Sequence, residues 1–222
     1  MFTPRLNILP RAQRSLWPHL ADLPDHFVLY GGTAIALRLG HRESVDFDFF
    51  SDVPLDEAQK AQLLSEVAWL VGANVLHSDK NTLTLSLRHA GSDIKLSFFG
   101  GIRTGRVGAP DMTDDAVLCV ASLDDLMAHK LKVVHDRAEG RDYQDIAVLL
   151  EHGQSLPNGL AAMAALFGPH MPAMITVKSL TFFDDLNEPW RLTKEMKATL
   201  LTACRQLAAQ GDPVGIASRK LR

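Results

Sequence analysis

Two cysteines in 222 residues, Cys119 and Cys204, are too few for a disulfide framework. Both lie far from any His-rich metal-binding spacing, which leaves no zinc signature and reads as two buried thiols in a reducing compartment. Nowhere do about 18 apolar residues run together, and this excludes a membrane-spanning helix. The opening stretch, MFTPRLNILPR, has prolines and arginines where an export signal needs a sustained apolar core, so a cytoplasmic protein is expected. An excess of one charge is missing too: 23 Lys and Arg stand against 26 Asp and Glu, a net charge of −3. That excludes a broadly basic nucleic-acid coat, but a local stripe can still bind phosphate. With 46% apolar and 22% charged residues and no low-complexity segment, the chain has the composition of a globular protein. Its length suits one domain, or one domain with a helical extension.

What is there concentrates between residues 30 and 50, YGGTAIALRLGHRESVDFDFF. Phe27 to Tyr30 is apolar and β-prone, Gly31 and Gly32 break the run, and Thr33 to Leu39 predicts a short helix closed by Gly40. Paired glycines let a backbone approach a ligand closely, and the first N–H groups of a helix favour an anion such as triphosphate. Glycines at such a turn are as often purely structural, and no Gly-Lys-Ser/Thr follows, so this is not a Walker P-loop. Val45 to Phe50 predicts a strand, on which Asp46 and Asp48 share one face roughly 6 to 7 Å apart. Phe47 and Phe49 then take the opposite, core-facing side. Two carboxylates beside a hydrophobic interior are costly unless compensated, and a hard cation such as Mg²⁺, bridging to substrate phosphates, would compensate them. The alternative is an exposed acidic pair salt-bridged to His41 or Arg42.

The rest of the chain supplies packing and one further charged constellation. Pro10 to Leu20 predicts a helix, as does DEAQKAQLLSEVAWLVG, with Leu63, Leu64, Val67 and Leu70 as its apolar positions. Strands are expected at Ala73 to His77, Thr82 to Arg88 and Asp93 to Phe99, the last two joined around Ala90-Gly91-Ser92, and a short one at Val117 to Ala121. Arg103 and Arg106 fall in a glycine-rich loop. Ser122 then caps a helix on which Lys130, Arg137 and Arg141 lie within about 40° of one another, provided Gly140 does not break it. Asp145 falls near this basic stripe and Asp142 points away from it; His129 and His135 neighbour it and read as structural. A solvated helix face with internal ion pairs is the plain alternative. Further helices are expected at Leu160 to Phe167, Ile175 to Leu186 and Thr193 to Ala209, with Phe182, Phe183 and Trp190 as packing aromatics. The basic tail, 218–222, is expected to fray or touch a polyanion.

Gly31-Gly32, a helix and then Asp46-x-Asp48 resembles the signature of the minimal nucleotidyltransferase fold of the polymerase-beta superfamily. More closely, GGTAIAL followed by HRESVDFDFF resembles the AbiEii/AbiGii-type nucleotidyltransferase toxins, with their recurrent His-Arg-x-Ser-x-Asp-x-Asp string. LMAHKLKVVHDRAEGRDYQDIAVLL (126–150) is similar to that family's helical lysine and Arg-Asp-x-x-Asp motifs, and VKSLTFFDDLNEP (177–189) to its C-terminal segment. The resemblance implies an α+β fold, a small mixed sheet flanked by helices over residues 1–121 and a helical subdomain over 122–222. It implies transfer of NMP from an NTP to a hydroxyl, with tRNA 3′ ends or other RNA as acceptor, by the toxin of a toxin–antitoxin or phage-defence pair. The residues carried over are Asp46 and Asp48 for Mg²⁺ or Mn²⁺, with Lys130 and Asp145 as further catalytic groups. Gly31, Gly32, Thr33, Arg42, Arg141 and Asp142 are carried over for the nucleotide. One position departs from the pattern: Ser97 stands where a third carboxylate is usual. Three outcomes stay open: one tightly held metal, a carboxylate supplied by the later helices, or a degenerate module that only binds nucleotide or a partner.

Overall fold

The computed structural model describes residues 1–168, 170–184, 186, 192–207 and 214–222. Its contacts divide the chain into two units, one of residues 1–105, 109–122 and 218–222, the other of 106–108 and 123–217.

The first unit is built on a seven-stranded mixed sheet. Its strands are β1 (Val28–Tyr30), β2 (Phe47–Phe50), β3 (Asn74–Asp79), β4 (Thr82–His89), β5 (Ser92–Phe99), β6 (Asp111–Met112) and β7 (Cys119–Val120), in the order β3-β4-β5-β2-β1-β7-β6. The long hairpin β4–β5 follows directly from alternation. Leu83, Leu85, Leu87, Ile94, Leu96 and Phe98 are buried on one face, while Arg88, Asp93 and Lys95 stay exposed on the other. Its two-residue turn places Ala90 and Gly91 at φ 45° and 86°, the positive-φ pair that matches strand twist. Rings of Phe27, Phe49 and Phe98 meet at 5.2 to 6.4 Å in the core of this unit.

Three helices belong to this unit: α1 (Arg11–Leu16), α2 (Gly31–Leu39) and α3 (Glu57–Glu66). The expected single helix from Pro10 to Leu20 is instead α1 followed by a 3-10 turn over Trp17–Asp22, because Pro18 has no N–H with which to continue the α ladder. Helix α3 starts at a capping box, in which Asp56 accepts from the backbone of Ala58 and Gln59 and the Gln59 side chain accepts from the Asp56 N–H. Strand β3 lies at the sheet edge and is exposed throughout. A register shift between Val75 and His77 interrupts its pairing with β4. The tail also differs from expectation. Leu221 is buried, its N–H donates to Asp52 at 3.1 Å, and Arg222 bonds Asp25. A buried leucine flanked by acidic partners holds the segment down.

The second unit is helical: α4 (Leu123–Asp136), α5 (Gly140–Glu151), α6 (Leu156–Phe167), α7 (Ala173–Thr181) and α8 (Lys194–Arg205). Helix α4 packs on α5, α6 and α7, and α5 packs on α8. The anticipated stripe of Lys130, Arg137 and Arg141 does not form. Residues 137–139 leave the helical conformation, with Glu139 extended at φ −116° and ψ 124°, so Arg141 sits on a different helix from Lys130. Two packing expectations also change: Phe182 is half exposed and Cys204 half-buried. Trp190 and parts of the expected C-terminal segment (187–189) and last helix (208–209) lie outside the described residues. No helix among the described residues is long and apolar enough to cross a membrane.

Candidate active site

The central stretch folds into β1, a left-handed glycine, α2, a loop and β2. Gly31 opens α2 at φ +76°, and the helix closes on Gly40 at φ +71°. Tyr30, at the cap position of α2, makes no side-chain capping bond to the helix. The first N–H groups of a nine-residue helix thus have no cap from the residue that precedes them, and helix N-termini favour anions.

Strand β2 begins at Phe47, two residues later than expected, so Asp46 lies just outside the ladder. The alternation nonetheless holds: Phe47 and Phe49 are fully buried, while Asp46 and Asp48 are only partly so. In register, Asp48 pairs with Tyr30 of β1 on one side and Ser97 of β5 on the other. A Cβ built on Gly31 would lie 2.7 Å from the Asp48 carboxylate. The glycine turn and the acidic strand therefore converge, and only glycine fits both the backbone angle and the space.

Thr33, third in α2, is buried. Its hydroxyl donates to the Asp46 carbonyl and lies 2.7 Å from the Ser44 hydroxyl, so it faces the loop instead of solvent. Ser44 and Gln13 are also buried. Gln13 Nε2 donates to the Val45 carbonyl at 3.1 Å, and the Ser44 N–H to that of Ile8 at 3.2 Å. The family resemblance assigns Thr33 and, on the same loop, Arg42 to the nucleotide. Ser44 was visible only as a letter in the string, and nothing in the spacing pointed to Gln13. Arg42, half-exposed on the same loop, donates to the Glu43 carbonyl at 3.1 Å.

Beside Asp48, Ser97 is buried and offers a neutral hydroxyl. Asp93, the other acidic residue of β5, is paired with Arg88 at 3.3 Å. Among the described residues no group of three or more His, Cys, Asp and Glu side chains gathers in metal-binding geometry. Carboxylates are the donor type that hard cations such as Mg²⁺ or Mn²⁺ take, with water and substrate phosphate completing the shell.

In the helical unit, Lys130 Nζ lies 2.6 Å from Asp142 Oδ1 and 2.7 Å from Asp145 Oδ2, and all three residues are buried. Asp142 therefore turns toward Lys130, contrary to the single-helix projection, because it begins a new helix at a different angle. Its second oxygen faces Arg137 at 3.5 Å, and Arg137 also pairs with Glu139 at 3.0 Å. Burial alone would lower the Lys130 pKa, but the charges of Asp145 and Asp142 outweigh it and hold the ammonium above its ordinary value. Two of the three ammonium protons are committed to carboxylates. Arg141 lies beside Asp142 at the start of α5, half-buried.

A mixed sheet of this order, with a glycine-opened helix set against an acidic strand, defines a nucleotidyltransferase-type scaffold. Solved structures agree at the level of fold. A candidate nucleotidyltransferase from H. pylori superposes with a TM-score of 0.56 at 19% identity, covering 88% of this chain and 92% of that one. MenT4, a nucleotidyltransferase toxin of Mycobacterium tuberculosis H37Rv, gives 0.56 at 17% identity over 86% and 80%. An uncharacterised protein of Aquifex aeolicus, aq_aa25, is 32% identical over 170 residues, 74% of this chain and 77% of its own. The family described as nucleotidyl transferase AbiEii toxin, Type IV TA system, matches residues 16–209, and the chain belongs to that family.

Proposed function

We propose that this protein is an active nucleotidyltransferase that moves NMP from an NTP to a hydroxyl of an RNA acceptor, with tRNA 3′ ends as the acceptor class. The observation that carries the reading is the convergence of the Asp48 carboxylate on the backbone of Gly31. It supports a site where the phosphates lie against Gly31, Gly32 and the Thr33 N–H, next to Asp46 and Asp48 as the residues that hold Mg²⁺. The chemistry the cation supplies when bound is neutralisation of charge on the triphosphate. The acceptor oxygen bonds to the α-phosphorus, the bond to the β-phosphate oxygen breaks, and pyrophosphate and a proton leave. The chain's own contribution is positioning of phosphates and carboxylates. Family membership supports a nucleotide substrate, a separately encoded antitoxin as partner and work in the cytoplasm, where NTPs are supplied. The roles carried over to Lys130, Arg141, Asp142 and Asp145 belong to the same proposal.

The direct test is transfer of label from each of the four NTPs to tRNA with Mg²⁺ present. Label should reach the RNA with wild type and fall at least about 100-fold with Asp48→Ala, the scale for removing a group that stabilises the transferring phosphate. Absence of transfer from all four NTPs to RNA, protein and small hydroxylated acceptors would sink the reading. Ser97, set beside Asp48 in place of an acid, favours a second reading: a module that binds nucleotide or a partner without turnover. Calorimetry separates them, because Mg²⁺-dependent NTP affinity lost in Asp46→Ala belongs to the enzyme and metal-independent affinity to the module.

A further inference from the structure

We infer that Thr33 is a positioning residue that clamps the main chain of Asp46 to the start of α2, fixing the spacing between the glycine turn and the acidic pair. The inference rests on the reading of Asp46 and Asp48 as the cation-holding residues. A threonine directly after two glycines at a helix start invites assignment of its hydroxyl to phosphate, but here the hydroxyl is buried and points the other way.

Proton counting orders the bonds. A carbonyl oxygen only accepts, so the single Thr33 hydroxyl proton goes to Asp46 O. The contact of 2.7 Å with Ser44 is therefore a donation from Ser44 to Thr33. The result is a buried relay from the Ser44 hydroxyl through Thr33 to the Asp46 carbonyl, in which each bond strengthens the next. Gln13 and Ile8 hold the two preceding residues through Val45 O and the Ser44 N–H. Asp46 precedes the first ladder residue of β2, so these bonds do for residues 44–46 what strand pairing does from Phe47 onward. The relay ends on the main chain of the residue that carries one of the two acids, and this separates it from a hydroxyl pair that merely fills the core.

Three variants and two measurements test it: Thr33→Val, which keeps shape and removes the hydroxyl, Thr33→Ser, which restores it, and Ser44→Ala, which leaves the Thr33 donation to Asp46 intact. Amide hydrogen exchange reports on residues 44–48, and calorimetry reports the affinity for Mg²⁺ with NTP. Loss of one buried hydrogen bond corresponds to about tenfold in an equilibrium constant. Thr33→Val should speed exchange at 44–48 by about that factor, leave the β4–β5 hairpin unchanged and weaken Mg²⁺-dependent NTP binding about tenfold. Thr33→Ser should recover both, and Ser44→Ala should shift both by less. Exchange at 44–48 unchanged in Thr33→Val, or raised equally across the whole sheet unit, overturns the clamp, as does unchanged NTP affinity where wild type binds. Should Thr33→Val not fold, Ser44→Ala decides through the weakened relay: a smaller rise confined to 44–48 upholds the clamp, and no rise or one across the whole sheet unit overturns it. If wild type itself shows no Mg²⁺-dependent NTP binding, the functional reading falls, and the exchange result alone upholds or overturns the clamp.

Discussion

A methyl group at residue 31 would lie 2.7 Å from the Asp48 carboxylate on a backbone at φ +76°, so Gly31→Ala carries two separate penalties. The left-handed angle alone costs about 1 to 2 kcal/mol for a residue with a Cβ. Gly153 serves as the control, because it has φ +92° and nothing within 4 Å of a built Cβ. Gly153→Ala should lose about that much stability in urea melts and Gly31→Ala more, and only Gly31→Ala should also lose NTP affinity, because only there is a site carboxylate displaced. Equal affinities would detach the glycine turn from the site. His129 offers a different residue-level test. Burial against Phe167 pushes its pKa down to about 4 from 6.5, so between those values the unfolded chain binds the proton more readily than the folded one. Stability contributed by neutral His129 is complete above pH 6.5 and is lost as pH falls toward 4, by at most about 3 kcal/mol. His129→Leu should flatten the pH dependence of the urea midpoint between pH 7 and 4.5 relative to wild type.

At the scale of elements, the α4–α5 hairpin is tied by three buried charges that make sense only together. Removing one member of a buried pair leaves the others uncompensated, at about 3 to 5 kcal/mol. Lys130→Met should destabilise by that amount in equilibrium denaturation, and Lys130→Met with Asp145→Asn by less than the sum of the two singles. Additive losses would show that the groups do not act as a cluster. This cluster also marks where the sequence stops being legible. Alternation specified β4 and β5 to within a residue, because that signal is local. The same periodicity carried one helix through residues 137–139 and turned Asp142 outward, since no local rule decides whether Gly140 interrupts a helix or begins one. The acidic pair and the glycine turn were readable from their spacing. The inward hydroxyl of Thr33 was not, because which way a side chain at a helix start faces depends on a loop that reaches it from 11 to 13 residues away. The register sets Ser97, expected where a third carboxylate is usual, beside Asp48.

At the scale of the whole molecule, the sheet unit is discontinuous in sequence. Residues 218–222 belong to it, although the helical segment 123–217 intervenes. Leu221 is a core residue of that unit, so placing a charge there without a partner carries a desolvation penalty of about 2 kcal/mol or more. Leu221→Asp should lower the stability of the sheet unit by that order, read from hydrogen exchange in β1 and β2. A peptide of residues 218–222 with Leu221 intact should slow exchange when added in excess to a fragment ending at residue 122; no slowing would place the tail outside the fold's cooperative core.

Near the other end of the chain, Phe2 bridges Thr113 and the Met1 amino group lies 3.2 Å from Asp111, also within the sheet unit. Tension drawn between residues 2 and 221 would thus fall first on contacts within the sheet unit, those of Phe2 with Thr113 and of Leu221 with Asp52. In a pulling experiment at those positions, the sheet unit should yield first, releasing the helical segment as a single later step in extension.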